Sequence, residues 1–380
     1  MSSTNNKMLK LCFIGCGRIA DTHARGIEKE CKGLVEVTAV VDNYLPRAQK
    51  FAERFNINEE YIFTSLDIAL KKNSEHTIFD AVDIMLPHNL HEQVALQCFE
   101  ANVHVLLEKP MAPSLKECEH IIKVAKEKQK SDGVKFMIAE QSQYFANCMK
   151  AKELIVQDAI GAVYAVKSVY RDPVGNQWQQ VLPGENNNKA WRLINNISGG
   201  GMVIDGGAHF IRPMRMFVPD ADIESVVAVL GYLDPKFDGE TLAFSCVRFS
   251  NGIIGRFEVI GSNGNWHQSD VIWSVEGTKG EITINGTGEL RVYSKEHPNG
   301  EVIKYNRHHP HGMAIQDFAK YVLYEDHIPA ATAEDSLGEL KMAKAMYRSH
   351  ETKRWEDIFS ISENNISFDK LGQSRAKRPF

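Results

Sequence analysis

No apolar run in this 380-residue chain approaches the roughly 20 residues that would cross a bilayer, so no membrane-spanning helix is expected. Nor is there a basic block. The 44 Lys and Arg are interspersed among 49 Asp and Glu, for a formal net charge of −5, which excludes a nucleic-acid surface as partner. Cysteine is sparse and unpatterned. Cys12, Cys16, Cys31, Cys98, Cys118, Cys148 and Cys246 are odd in number and contain no CxxC spacing. That excludes a disulfide framework and a cysteine-ligated zinc site, and reads as reduced thiols in a cytoplasmic protein. The opening MSSTNNKMLK is polar, and the apolar run behind it enters a glycine turn directly, so no secretion signal is expected.

The informative stretch starts at Leu9–Ala24. Leu11-Cys12-Phe13-Ile14 reads as a buried strand, Gly15-Cys16-Gly17-Arg18-Ile19-Ala20 as a glycine turn, and the residues after it as a helix. Strand, turn and helix in that order open a dinucleotide-binding fold. Gly15 allows the tight turn. Gly17, without a Cβ, lets a pyrophosphate approach the backbone, with Cys16 as a spacer. Ala20 takes the third small position, where helix and strand close up. The helix N-terminus at Arg18 and Ile19 then offers free N–H groups to phosphates.

Val35–Val41 is a second β-branched strand, ending at Asp42. An acid at that distance from the turn meets the adenosine ribose, bonds its hydroxyls and repels a 2′-phosphate. NAD is therefore favoured, with NADP admitted only through the nearby guanidinium of Arg47. Strands at 79–86, 103–107 and 135–139 alternate with helices at 46–55, 91–101 and 114–130, the last opened by a Ser114/Glu117 capping box. This is a doubly wound parallel sheet, a Rossmann domain over residues 1–145, whose ligands sit at the strand carboxyl ends. Those ends carry the glycine turn, Asp42, Pro87-His88-Asn89-Leu90-His91 and Glu108-Lys109-Pro110.

Residues 146–380 change pattern. Runs at 163–170, 225–233, 242–249 and 253–260, then 271–276, 281–284, 289–293 and 301–305, succeed one another with strand periodicity, and Asn251-Gly252 marks a hairpin. The expectation is an α+β domain with a large open, mainly antiparallel sheet. Residues 172–188, rich in Gly, Asn, Gln and Pro, read as a long loop or lid. Helices are expected at 314–324 and 333–353, and the tail 361–380 as a docked arm or disorder. Between the strands, the cluster from Ser198 to Phe210 reads as glycines opening a helix that carries Asp205 and His209 on one face, four apart. Such a pair could ligate a metal, but no third ligand is evident. His308, His309 and His311 read as a solvated turn, so no metal is expected.

GCGRIA at 15–20, Asp42, PHNLH at 87–91, LLEKPMAPS at 106–114 and the Asp205/His209 spacing together resemble the Gfo/Idh/MocA oxidoreductases, the family of glucose–fructose oxidoreductase and inositol dehydrogenase. The resemblance implies an NAD(P)-dependent dehydrogenase or reductase acting on a CH–OH group of a sugar, cyclitol or related polyhydroxylated molecule. It implies late helices packed against the Rossmann domain, and a homodimer or homotetramer formed through the second sheet. Hydride transfer needs a proton acceptor and a group that stabilises the developing alkoxide. Lys109, partly desolvated beside the nicotinamide so that its ammonium is disfavoured, is the candidate donor or relay, and His209 the acid–base. Asp205 would bond substrate or orient the histidine. Glu108 would hold Lys109 or bond the cofactor. Pro87, His88, Asn89 and His91 would line the nicotinamide-side ribose. Arg171, Trp178, Trp191 and Arg192 are candidate substrate contacts. Two alternatives share the fold: a tightly bound NAD that is oxidised and reduced transiently to drive elimination, hydration, hydrolysis or epimerisation, and a non-catalytic cofactor-binding sensor or scaffold.

Overall fold

The computed structural model describes residues 7–174, 176–184, 189–262 and 267–361; the tail read as an arm or disorder lies almost wholly outside them. The first sheet contains β1 (Leu9–Ile14), β2 (Val35–Val41), β3 (Ile62–Phe63), β4 (Ala81–Ile84), β5 (His104–Leu107) and β6 (Phe136–Ile138). They are parallel, in the order β3-β2-β1-β4-β5-β6. The central strands are apolar because helices cover both faces; all four residues of β4 are buried. Those helices are α1 (Arg18–Glu30), α2 (Leu45–Phe55), α3 (Leu66–His76), α4 (His91–Glu100) and α5 (Leu115–Asp132). Ser114 caps α5 by accepting a bond from the Glu117 N–H, 3.2 Å away. The strand order reverses between β1 and β4, and that switch point opens a crevice at their carboxyl ends.

After α6 (Ala146–Val156) comes β7 (Val163–Pro173), then the single turns α7 (Asn176–Gln179) and α8 (Asn195–Ser198), and α9 (Ala208–Met216). The sheet continues with β8 (Ile223–Gly231), β9 (Leu242–Phe249), β10 (Ile254–Ser262), β11 (Val271–Gly277), β12 (Gly280–Asn285), β13 (Leu290–Ser294) and β14 (Glu301–Ile303). Helices α10 (Pro310–Leu323) and α11 (Ala333–Thr352) precede β15 (Glu356–Asp357). The nine strands run β14-β13-β12-β11-β7-β10-β9-β8-β15, antiparallel except where β10 meets β7. Asn251-Gly252 forms the β9–β10 hairpin, with Gly252 at φ +88°. One face of this sheet carries α9 and α11. The other exposes Val229, Phe244 and Ile254 at strand-alternating positions.

Helix α10 returns to the first domain and lies on α1. The approach is close enough that a Cβ on Gly26 would stand 2.6 Å from the Gly312 nitrogen. This return sets His311 against the crevice and packs His308 and His309 beside it in the chain. They are not a solvated turn. His308 Nε2 bonds the Tyr144 carbonyl, the His309 side chain accepts from the Gly312 N–H and caps α10, and His311 is largely buried.

Candidate active site

A groove of about 470 Å³ runs along the carboxyl ends of β1, β2 and β4, lined by Gly15, Gly17, Arg18, Ile19, Asp42, Arg47, Pro87 and Asn89. Trp191 and Arg192 from the second domain close one end. There the groove adjoins a chamber of about 90 Å³, which shares Ile19, Met85, Leu86, Trp191 and Arg192 with it and adds His88, Glu108, Lys109, Gln141, His209 and His311.

The groove is built by the glycine turn. Gly15 has φ +90°, and a Cβ there would stand 2.5 Å from the Met85 carbonyl on the neighbouring strand, so the turn admits glycine alone. Gly17 is the N-cap of α1 and supplies no side-chain cap, which leaves the first amides of the helix for an anion. Cys16 points into the core, and its N–H donates to Asp42 Oδ2 at 2.8 Å. Asp42 also accepts from the Tyr44 N–H at 2.8 Å and from Arg47 Nε and Nη2 at 2.8 to 3.1 Å. The carboxylate and guanidinium thus form a forked pair on the groove wall.

In the chamber, Lys109 stands at the end of β5 and donates from Nζ to Asp205 Oδ1 at 2.7 Å and to the Asp205 carbonyl at 3.1 Å. Arg192 Nε donates to Asp205 Oδ2 at 3.0 Å. Burial pushes the Asp205 carboxyl up, but the charges of Lys109 and Arg192 outweigh it and hold the group far below the usual carboxylate range. Lys109 is thus paired with a buried carboxylate rather than isolated in an apolar pocket. Trp191 lies under the Arg192 guanidinium, 4.2 Å from ring centroid to charge, and meets His88 edge-on at 4.6 Å. Burial drops His88 to about 3, so it is neutral and donates from Nδ1 to the Ser198 carbonyl at 2.8 Å.

His209 is oriented by a different acid from the one its spacing suggested. Its Nδ1 lies 2.8 Å from Glu140 Oε1, at the end of β6. Burial raises Glu140, yet the charge and hydrogen bond of His209, with the Ser142 N–H, bring it down to about 2. An ionised carboxylate only accepts, so Nδ1 carries a proton, and in the uncharged ring Nε2 is the acceptor. Gln141 Nε2 sits 3.1 Å from that Nε2. Asp205 and His209 do not share a helical face. Residues 201–207 wind as successive turns, with Gly207 N–H on the Met202 carbonyl at 2.8 Å, and α9 begins only at Ala208. The acid meets Lys109 and the histidine meets Glu140, from opposite sides of a glycine-rich corner.

Beneath the chamber lies a buried group that no local motif marks. His23, on α1, places Nδ1 2.7 Å from Asp83 Oδ2 and Nε2 2.9 Å from Glu108 Oε1. Burial lowers His23, but Asp83 and Glu108 overcome this and lift it to about 10, an imidazolium donating to both carboxylates. Glu108, raised by burial and lowered more by His23, sits at about 2; its Oε2 accepts from the Lys109 N–H at 3.0 Å. The phosphate-facing helix is thereby bonded to the turn that carries Lys109. His23, Glu108 and His311 present ligand atoms within 4.8 Å of one another, but a cation there would have to displace a charged imidazolium from two carboxylates.

Of the other candidates, His91 is buried outside both cavities, bonding the Leu86 and Pro110 carbonyls and fixing the turn after Lys109. Trp178 packs on Phe237 and lines neither cavity. Arg171 pairs with Asp270 at 3.4 Å and faces a separate cleft with Phe210, Trp273 and Arg307. His23, Asp83, Glu140 and Gln141 were missed, and His311, read as part of a solvated turn, faces the chamber. The only sequence signal for Glu140 and Gln141 was their place at the end of a parallel strand.

The chain matches two family models: the oxidoreductase family's NAD-binding Rossmann fold over residues 9–136, and its C-terminal alpha/beta domain over residues 152–358. Among curated relatives, levoglucosan dehydrogenase of Pseudarthrobacter phenanthrenivorans is 26% identical over 54% of this chain and 55% of its own length, so the chain spans about half of that relative. The 2,7-anhydro-N-acetylneuraminate hydratase of Mediterraneibacter gnavus is 27% identical over 76% of this chain and 71% of that protein. Among solved structures, the aldose-aldose oxidoreductase of Caulobacter crescentus, complexed with glycerol, superposes with a TM-score of 0.78 at 22% identity, over 92% of this chain and 100% of that one, which is a likeness of fold.

Proposed function

The chain belongs to the Gfo/Idh/MocA family of oxidoreductases, with an NAD-binding Rossmann domain, and from that premise we propose that it transfers a hydride between the nicotinamide and a carbinol carbon of a sugar, cyclitol or sugar derivative. The observation that carries this reading is the chamber itself. A paired lysine and a carboxylate-oriented histidine face one space at the end of a dinucleotide groove. The residues fit the cofactor: an uncapped helix start and a glycine without Cβ suit a pyrophosphate, and Asp42 suits a ribose diol. Bound NAD supplies the hydride acceptor, and the rest falls to the chain.

His209 Nε2 takes the hydroxyl proton as hydride leaves. The resulting imidazolium is stabilised through Nδ1–H by ionised Glu140. Lys109, held by Asp205, directs its remaining ammonium hydrogen at the alkoxide as charge develops. Arg192 shares Asp205 and keeps it from tilting away. On the adenosine side, NAD is the preferred cofactor. Arg47 half-neutralises Asp42, so NADP is opposed less than by a lone acid.

Lys109→Ala and His209→Ala test the assignment when assayed separately by nicotinamide absorbance against a panel of sugars and cyclitols. Each is expected to lose on the order of 10²- to 10⁴-fold in kcat, the usual worth of positioned acid–base groups. Near-wild-type turnover in both variants overturns the assignment.

A further inference from the structure

We infer that residues 180–184, which belong to the second domain, form a strap across the adenosine half of the groove and hold the dinucleotide in place between turnovers. This rests on the reading of the groove as the dinucleotide site. It adds a set of cofactor contacts that come from outside the Rossmann domain.

Gln180, Leu182 and Gly184 line the groove opposite Gly17, Asp42 and Arg47. The strap is fastened at both ends. Arg47, while Nε and Nη2 engage Asp42, sends Nη1 to the Pro183 carbonyl at 2.5 Å. At the other end, Arg18 Nη1 approaches Gln180 Oε1 at 3.5 Å. Between them Leu182 closes on the glycine turn: a Cβ on Gly17 would already stand 3.6 Å from Leu182 Cδ1. Gly184, at φ +87°, lies flat on Tyr44, where a Cβ would come within 2.7 Å of the Tyr44 Cβ. Tyr44 in turn donates its N–H to Asp42 and carries the Arg47 guanidinium 5.3 Å above its ring.

These contacts are on the adenosine and pyrophosphate side; residues 180–184 contribute nothing to the chamber of Lys109 and His209. Leu182 already touches the turn, so a dinucleotide seated on Gly17 and Asp42 would have the turn beneath it and would lift Leu182 to lie above it. The four acceptor positions of Asp42 are taken by Cys16, Tyr44 and Arg47, so a ribose diol must displace the guanidinium from Asp42. Arg47 remains tied to Pro183 and closes the strap over the sugar. Leaving then requires the strap to lift, which places its effect on the dissociation rate. A dinucleotide that stays through the cycle suits chemistry in which it is reduced by one substrate step and reoxidised by the next.

The test uses the full chain purified without added nucleotide. Wild type, Leu182→Ala and a variant with residues 180–184 replaced by Gly and Ser are loaded with NADH. Dissociation is followed by stopped-flow fluorescence against excess unlabelled nucleotide, after the thermal midpoint of each nucleotide-free protein has established folding. Both variants are expected to release NADH faster, about tenfold or more, which corresponds to roughly 1.4 kcal/mol of lost hold. Release at the wild-type rate overturns the strap while leaving the proposed activity intact. Leu182→Ala keeps the test open should the five-residue replacement misfold. A wild-type chain that binds no NADH overturns the strap and the cofactor reading together.

Discussion

Glu140 is where a single atom decides the chemistry of a neighbour. Its carboxylate, 2.8 Å from His209 Nδ1, selects the tautomer that leaves Nε2 free to accept a proton. Glu140→Gln keeps the size and a hydrogen bond but removes the charge. The amide can present N–H to the ring and invert the tautomer. The expected outcome is a fall in kcat of roughly 10²-fold or more, within the span of acid–base effects, with the pH profile of kcat displaced and NADH affinity unchanged. Steady-state kinetics across pH with fluorescence titration of NADH would show it; an unmoved profile would mean that Glu140 is merely structural. Lys109 and Asp42 could be read from the chain because each stands in a local motif, Glu-Lys-Pro after one strand and an acid closing another behind the glycine turn. Glu140 could not, since it meets His209 across 69 residues and only after two domains have docked.

At the scale of elements, the corner at 199–207 shows why spacing alone misplaced Asp205. Four-residue spacing implies a shared face only if the backbone is helical. Here glycines at 199, 200, 201, 206 and 207 make a helix costly and allow close packing instead. The buried Glu240 side chain accepts the Val203 and Gly201 N–H groups at 2.7 and 3.1 Å, doing for this turn what a cap does for a helix. Gly206 abuts the Tyr170 ring so closely that a Cβ would stand 2.2 Å from the hydroxyl. Tyr170 is buried and bonded to Asp172 at 2.9 Å, so it has little room to yield. Gly206→Ala is therefore expected to cost about 1–3 kcal/mol by overpacking. It should also lower kcat, because the corner carries Asp205 on one side and His209 on the other. Thermal unfolding alongside kinetics checks both effects, and a variant of unchanged midpoint would show the corner to be slack. The parallel sheet, by contrast, was legible in its main strands, which announce themselves by local periodicity, although α3 and α6 were not expected.

For the whole molecule, the buried charges impose a pH window on stability. Glu108 and Glu140, lowered to about 2, contribute stability that is present above the ordinary carboxylate range and is lost as pH falls towards 2. His88 and His311, held neutral by burial at about 3, bind a proton in the unfolded chain first, so stability also falls as pH drops below about 6.5. His23 acts in the opposite direction. With its folded value near 10, the stability it contributes is complete below the unfolded value of about 6.5 and is lost as pH rises towards 10. Stability should therefore peak near neutrality, with both limbs arising from the groups under and around the chamber. The buried thiols Cys12, Cys16, Cys31, Cys98 and Cys148, all raised by burial, add to the alkaline limb only above their ordinary value of 9.0. His23 thus contributes to the decline across the interval from about 6.5 to 9. His23→Gln retains an amide donor but cannot titrate. Its midpoint by differential scanning calorimetry should lie below wild type at neutral pH and stay nearly flat across that interval while wild type declines. If both proteins decline in parallel, the proton is not on His23, and the imidazolium joining helix α1 to the turn of Lys109 is not what stabilises the site.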